Sequence, residues 1–177
     1  MSLDLQSLVR TIPDYPKPGI LFRDITTLIE HPEGFRESVE RLANAHRDQG
    51  FTHVAGIEAR GFIFGAGVAI ALGVGFIPVR KRGKLPGNTI GQNYALEYGV
   101  DTIEIHADVL KEGHKVLVVD DLIATGGTAI AAVSLIRRTG ATCENAAFVI
   151  DLPVLGGADK LRAENVAVST LMSFDGH

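Results

Sequence analysis

Asp120 and Asp121 stand side by side, and Thr125, Gly126, Gly127 and Thr128 follow a few residues on. Adjacent carboxylates repel, and nothing structural calls for both unless a polyol or a cation is near. The Thr-Gly-Gly-Thr run supplies hydroxyls and backbone N–H groups that no Cβ screens. Where such a run opens a helix, its unpaired N–H groups and positive dipole end face an anion. Acid for sugar hydroxyls, followed by a nest for phosphate, describes a site for a ribose 5-phosphate. Thr-Gly-Gly by itself is ordinary turn and cap chemistry, so the acid pair carries the weight. The turn has neither the Gly-Lys-Ser/Thr of a P-loop nor a Gly-x-Gly-x-x-Gly dinucleotide fingerprint.

Other segments place reactive side chains where strands could end. Glu58-Ala59-Arg60-Gly61-Phe62 sets a guanidinium fork beside a glycine and free backbone N–H groups, a combination that suits a diphosphate. Read alone, Arg60 is as well explained as a surface residue. Arg80, Lys81, Arg82 and Lys84 crowd together just before Leu85-Pro86-Gly87. The plain reading is a solvated charge run. Cations so close repel unless an anion gathers them, and Lys84 is the most direct candidate contact for a diphosphate. Phe22 lies in Pro18-Gly19-Ile20-Leu21-Phe22-Arg23-Asp24-Ile25 and has a flat face suited to stacking on a nucleobase, although Phe in an apolar stretch is usually core. The six histidines (His31, His46, His53, His106, His114 and His177) show no metal-ligand spacing with one another or with Cys143.

These residues need elements to hold them. Val116–Val119 is short, continuous and β-branched-rich, which predicts a buried parallel strand with Asp120 and Asp121 at its carboxyl end. Open α/β sheets bind ligands there. Strands are predicted at His53–Ile57, Val74–Val79, Lys115–Asp120, Cys143–Ile150 and Val166–Thr170. Helices are predicted from His31 or Pro32 to Gly50, over Phe62–Leu72, over Gly127–Arg138 and near Asp159–Glu164. Leu3, Leu5, Leu8, Val9 and Ile12 suggest a short N-terminal helix, and Ile20–Leu28 reads as extended. Pro13 to Gly19 is a proline-rich loop that cannot be helix or central strand. Arg80 to Asn93 reads as a polar loop, followed by a hairpin of Tyr94–Tyr98 and Thr102–His106. Alternating strands and helices predict an α/β fold, a mostly parallel twisted sheet with helices on both faces. Residues 1–177 read as one domain, with an N-terminal helix and base-recognition segment at 1–30.

Composition narrows the class. With 177 residues, 46% apolar and 21% charged, the chain is an ordinary globular domain. A net charge of −4 gives no sign of a nucleic-acid surface. One cysteine excludes an internal disulfide and a cysteine-based zinc site. Phe62 to Val79 is uncharged and nearly as long as a membrane span of about 20 residues. Gly73, Gly75 and Pro78 interrupt it, so it reads as a helix followed by a strand. The N-terminus lacks the features of a signal peptide, and a cytoplasmic protein is expected.

Val116 to Thr128 resembles the phosphoribosyl pyrophosphate (PRPP) signature of the type I phosphoribosyltransferases. Together with Phe22-Arg23-Asp24, Glu-Ala-Arg-Gly-Phe, Arg-Lys-Arg-Gly-Lys-Leu-Pro and Tyr94-Ala95-Leu96-Glu97-Tyr98-Gly99, it resembles the adenine-using branch of that family over nearly the whole chain. The resemblance implies the type I fold with a mobile lid at residues 91–113. It implies transfer of 5-phosphoribosyl from PRPP to adenine, with Mg²⁺ held through PRPP oxygens and water near Asp120 and Asp121. By the same resemblance PRPP and AMP engage Asp120, Asp121, Ala124, Thr125, Gly126, Gly127, Thr128, Arg60, Lys81, Lys84 and Tyr98. Leu21, Phe22 and Arg23 take adenine, while Glu97, Arg60 and Lys84 are catalytic. A cis peptide between Glu58 and Ala59 and a homodimer are also implied. The alternatives are a sibling enzyme for a 6-oxopurine or orotate, and a PRPP-sensing regulator without catalysis. The former would reject adenine because its hydrogen-bonding groups are placed for a carbonyl.

Overall fold

In this computed structural model residues 2–96 and 98–176 are described. The run Val116–Val119 shows why its centre is a parallel sheet. Val116 and Val118 are buried in one apolar cluster with Ala132, Leu135 and Ile136. Leu117 and Val119, one residue out of phase, are buried in a second cluster with Phe64 and Val68. A strand apolar on both faces needs a helical layer on each side.

In chain order the elements are β1 (Arg10–Pro13), β2 (Leu21–Asp24), α1 (Thr26–Ile29), α2 (Pro32–Asn44), β3 (His53–Ile57), α3 (Arg60–Leu72), β4 (Gly75–Lys81), β5 (Thr89–Ala95), β6 (Val100–His106), β7 (Lys115–Ile123), α4 (Gly127–Arg137), β8 (Thr142–Asp151), α5 (Gly157–Ala163) and β9 (Ala167–Ser173). Strands β5-β6-β4-β3-β7-β8-β9 form a seven-stranded sheet, and β1-β2 form a separate antiparallel pair. Strands β4, β3, β7, β8 and β9 run parallel, whereas β6 is antiparallel to both β4 and β5. Ile57 is in register with Val79, and Gly56 with Val119. Glu58, which follows β3, therefore lies level with Arg80 near the end of β4 and with Asp120 in the last third of β7, at the same edge of the sheet; β7 runs on through both acids to Ile123, past the expected end at Asp120. No helix among the described residues is long and apolar enough to cross a membrane.

Several expectations need correction. Leu3 to Ile12 does not make a helix: a 3-10 turn at Gln6–Leu8 gives way to β1, because the chain pairs with β2 across the proline-rich loop. Ile20–Leu28 is extended only through Asp24. Its carboxylate then accepts from the Thr26 N–H at 3.0 Å and hydroxyl at 2.6 Å, turning the chain into α1. The same carboxylate pairs with Arg10, and these bonds lower its pKa to about 2. Arg80–Asn93 is not all loop, since β4 continues to Lys81 and β5 starts at Thr89. The hairpin is longer than Tyr94–His106, because β5 pairs with β6 from Thr89↔His106 to Ala95↔Val100. Polar residues on an edge hairpin lack the apolar alternation that marks a half-buried strand.

Candidate active site

The shared edge of β3, β4 and β7 brings three distant motifs together. After β3, the Glu58–Ala59 peptide is cis and α3 begins at Arg60. Arg60 Nε donates to Asp121 Oδ2 at 2.5 Å. Burial works against the Arg60 charge, but Asp121 outweighs it and holds the pKa above its ordinary value. Asp120 Oδ1 accepts the Asp121 N–H at 2.8 Å. Close packing and then the neighbouring Asp121 carboxylate push the Asp120 pKa up. Gly61 is what lets α3 approach this pair: a Cβ there would sit 2.6 Å from Asp120 Oδ1.

The basic segment is gathered partly by acids of the protein itself. Glu58 Oε2 accepts the Lys81 N–H at 2.9 Å and Arg80 Nε at 3.3 Å. Glu104 takes the Gly83 N–H at 3.2 Å, and Arg80 Nη1 reaches the Lys84 carbonyl at 3.0 Å. Lys81 Nζ lies 3.2 Å from Asp101 Oδ2, which also accepts the Tyr94 hydroxyl at 3.1 Å. The hydrogen bond to Asp101 raises the Lys81 pKa. Lys84 is exposed at the loop. Asp101 reads in sequence only as a turn residue, and no local signal ties it to Lys81.

Residues Ala124, Thr125, Gly126, Gly127 and Thr128 line a cavity of about 120 Å³ with Asp120, Leu122 and Ile123. Gly126 has φ +85°, which only glycine adopts readily, and α4 starts at the next residue. The loop leans on α5. The Gly157 N–H donates to the Ala124 carbonyl at 3.0 Å, and a Cβ on Gly157 would lie 2.4 Å from that oxygen. Lys160 Nζ bonds the Thr125 carbonyl at 3.3 Å. The helix start and open amides give this cavity the character of an anion site.

A second cavity, about 220 Å³ and largely apolar, is lined by Ile20, Leu21, Phe22, Arg23, Arg60, Leu122, Leu152 and Leu155. Arg60 and Leu122 border it, and Leu122 also borders the anion cavity. The Tyr15 ring packs edge-on against Phe22 with centroids 5.2 Å apart. Leu122, Leu152 and Leu155 were not singled out in the sequence, where a leucine beside a strand end looks like core. The Arg23 guanidinium is engaged by Thr11 and Asp175. Tyr98 is 83% exposed at the hairpin turn, away from contact with the loop cavity. Glu97 lies outside the described residues. Among the described residues no group of three or more His, Cys, Asp or Glu gathers as a metal cage.

A parallel sheet that delivers paired carboxylates, a Gly/Thr anion loop and a guanidinium to one edge defines a phosphoribosyltransferase. The family model for the phosphoribosyl transferase domain matches residues 24–170. The adenine phosphoribosyltransferase of Parvibaculum lavamentivorans is 60% identical over 175 residues, covering 99% of this chain and 100% of the relative. The crystal structure of the Rhodothermus marinus adenine phosphoribosyltransferase superposes with a TM-score of 0.89 at 48% identity, covering 96% of each chain. The Saccharomyces cerevisiae adenine phosphoribosyltransferase, solved with adenine and an imino-altritol bisphosphate, gives a TM-score of 0.88 at 40% identity, covering 95% of this chain and 96% of that one. The chain belongs to the adenine phosphoribosyltransferase family.

Proposed function

We propose that this chain transfers the 5-phosphoribosyl group of PRPP to N9 of adenine, giving AMP and pyrophosphate, a reaction of purine salvage. The observation that carries the reading is the Arg60–Asp121 pair. It joins the diphosphate-type loop to the ribose-type carboxylates, with the anion cavity and the apolar cavity both alongside.

The reaction breaks the C1–O bond to pyrophosphate, which leaves with the electron pair, and forms a C1–N9 bond. Positive charge develops on the ribose ring between these events, so catalysis gains most from groups placed for separated charge. Asp120 and Asp121 hold the ribose hydroxyls and favour the developing cation. Ala124 to Thr128 anchor the 5-phosphate through amides and hydroxyls. Arg60, Lys81 and Lys84 take the departing pyrophosphate, Arg60 and Lys81 exchanging carboxylate partners for phosphate oxygens. Leu21, Phe22 and Arg23 position adenine, and Tyr98 covers the nucleotide from the hairpin. Glu97 accepts or relays the N9 proton when residues 91–113 close, and closure excludes water that would hydrolyse PRPP.

The donor set fits Mg²⁺. A hard cation here would be held through PRPP oxygens and water, with Asp120 and Asp121 nearby and Asp121 already engaged by Arg60. When bound it neutralises charge on the pyrophosphate. A cytoplasmic homodimer belongs to the same proposal. Ile63 and Ile70, exposed two turns apart on α3, offer a second copy an apolar face.

The test is a product assay with PRPP and Mg²⁺, supplying adenine, hypoxanthine, guanine, xanthine and orotate separately. AMP from adenine alone is the expected result. A different nucleotide would keep the chemistry and discard the assignment of Leu21–Arg23. PRPP binding without any product would make the chain a regulator.

A further inference from the structure

We propose that Phe174 is a positioning residue for the base, acting through Arg23 on the strand that walls the apolar cavity. The inference rests on reading that cavity as the adenine site.

Strand β2 supplies Leu21, Phe22 and Arg23 to the cavity wall, yet it pairs only with β1 and is not part of the seven-stranded sheet. The anion loop, by contrast, follows directly from β7, an interior strand of the main sheet. Base and ribose phosphate would thus be held by two separate sheets. How well adenine is held beside the ribose therefore depends on what fixes β2 to the main sheet.

Arg23 bridges the two. Its Nη1 donates to Thr11 Oγ1 at 2.6 Å on β1, and its Nη2 donates to the Asp175 carbonyl at 3.0 Å. The guanidinium carbon lies 4.5 Å from the centroid of the Phe174 ring, the geometry of a cation–π contact. Phe174 is itself fixed to the main sheet. It follows β9, its N–H donates to the Asp151 carbonyl of β8 at 3.1 Å, and its ring packs against the core cluster on that face. A planar fork that bonds along its edge and stacks by its face can make all these contacts together, which a lysine cannot. The guanidinium is therefore occupied in aligning β2, and what Arg23 offers the base is the placement of its strand.

The experiment compares Phe174→Leu with Phe174→Tyr. Leucine keeps an apolar side chain but has no ring face, while tyrosine restores the face. Steady-state assays give KM for adenine and for PRPP separately, with kcat and the thermal midpoint. For Phe174→Leu we expect adenine KM to rise about tenfold, with PRPP KM and kcat within about twofold of wild type. Phe174→Tyr should return adenine KM to near the wild-type value. Thr11→Val, which removes the acceptor for Nη1, should raise adenine KM in the same direction, and keeps the test alive should Phe174→Leu fold poorly. An unmoved adenine KM in an active Phe174→Leu enzyme overturns this proposal alone. Equal rises in both KM values overturn it as well, since they report general loosening. A wild-type protein that makes no AMP overturns the adenine reading and this inference with it.

Discussion

Arg60 Nε and Asp121 Oδ2 lie 2.5 Å apart although 61 residues separate them in the chain. The pair is possible because β3 and β7 are adjacent and parallel, so Arg60, just past the end of β3, lies beside Asp121 in the last third of β7. It couples the group read as a pyrophosphate ligand to one read as a ribose ligand.

Replacing Arg60 with Lys keeps the charge and removes the fork. We expect kcat/KM to fall by roughly 10²–10³, as for other preorganised groups that stabilise charge in a transition state. Steady-state kinetics with varied PRPP would check this. A loss of less than about threefold would show that the fork is not needed, and that the ion pair is a feature of folding.

Gly157→Ala tests the support behind the anion loop. Its Cβ would meet the Ala124 carbonyl at 2.4 Å and the Gly126 nitrogen at 2.7 Å, both backbone atoms that cannot swing aside. The loop or α5 must move, at a cost of about 1–3 kcal/mol in stability. PRPP KM should rise while adenine KM changes little. Equilibrium denaturation together with both KM values would decide it, and a wild-type PRPP KM would sink the idea.

Glu97→Gln removes the proposed proton acceptor and leaves the shape nearly unchanged. A fall in kcat of about 10²–10⁴ is the expected scale for a lost general base. Turnover equal to wild type would remove Glu97 from the mechanism.

His46 makes stability depend on pH. Burial lowers its pKa below the ordinary 6.5, against a smaller opposing pull from Gln49, and its Nε2 sits 2.8 Å from Ser169 Oγ. His53 is lowered too, by burial and by His114, whose ring is 4.7 Å away. The unfolded chain takes up these protons near pH 6.5, and the folded chain only below that. Their contribution is complete above about 6.5 and is lost as pH falls from there toward the lower folded values. Urea midpoints at about pH 7.5 and about pH 5.5 should differ in that direction, and the difference should shrink in His46→Gln. A midpoint that rises on acidification would contradict the assignment.

Much of the architecture was legible because its signals are local. His53–Ile57 matches β3 residue for residue, and Gly127–Arg138 differs from α4 by only its last residue. Continuous β-branched runs and a Gly-rich helix start declare themselves over short windows. The polar stretch before Tyr94 concealed β5, because edge hairpins owe their structure to backbone pairing more than to apolar alternation. The N-terminal leucines suggested a helix by spacing, but pairing of Ile12 opposite Phe22 prevailed. Of the site, the motif residues were legible by chemistry and order. The leucines of the apolar cavity were not, since Leu122, Leu152 and Leu155 become a wall only where β7 and the segment after β8 meet β2.

By itself the order of residues determined the parallel sheet, a strand running into the acid pair and the anion loop after it. Each follows from interactions within a few residues: pleat alternation, turn stereochemistry and the open amides of a helix start. The continuation of that strand to Ile123 was not so determined, and rests on pairing of Leu122 and Ile123 with Ile150 and Asp151. Only the tertiary structure decided that Asp121 meets Arg60, that Asp101 holds Lys81, that Gly157 props Ala124 and that Phe174 lies against Arg23. Those partners are far apart in the chain, and their meeting depends on strand order and register, which no short stretch of sequence encodes.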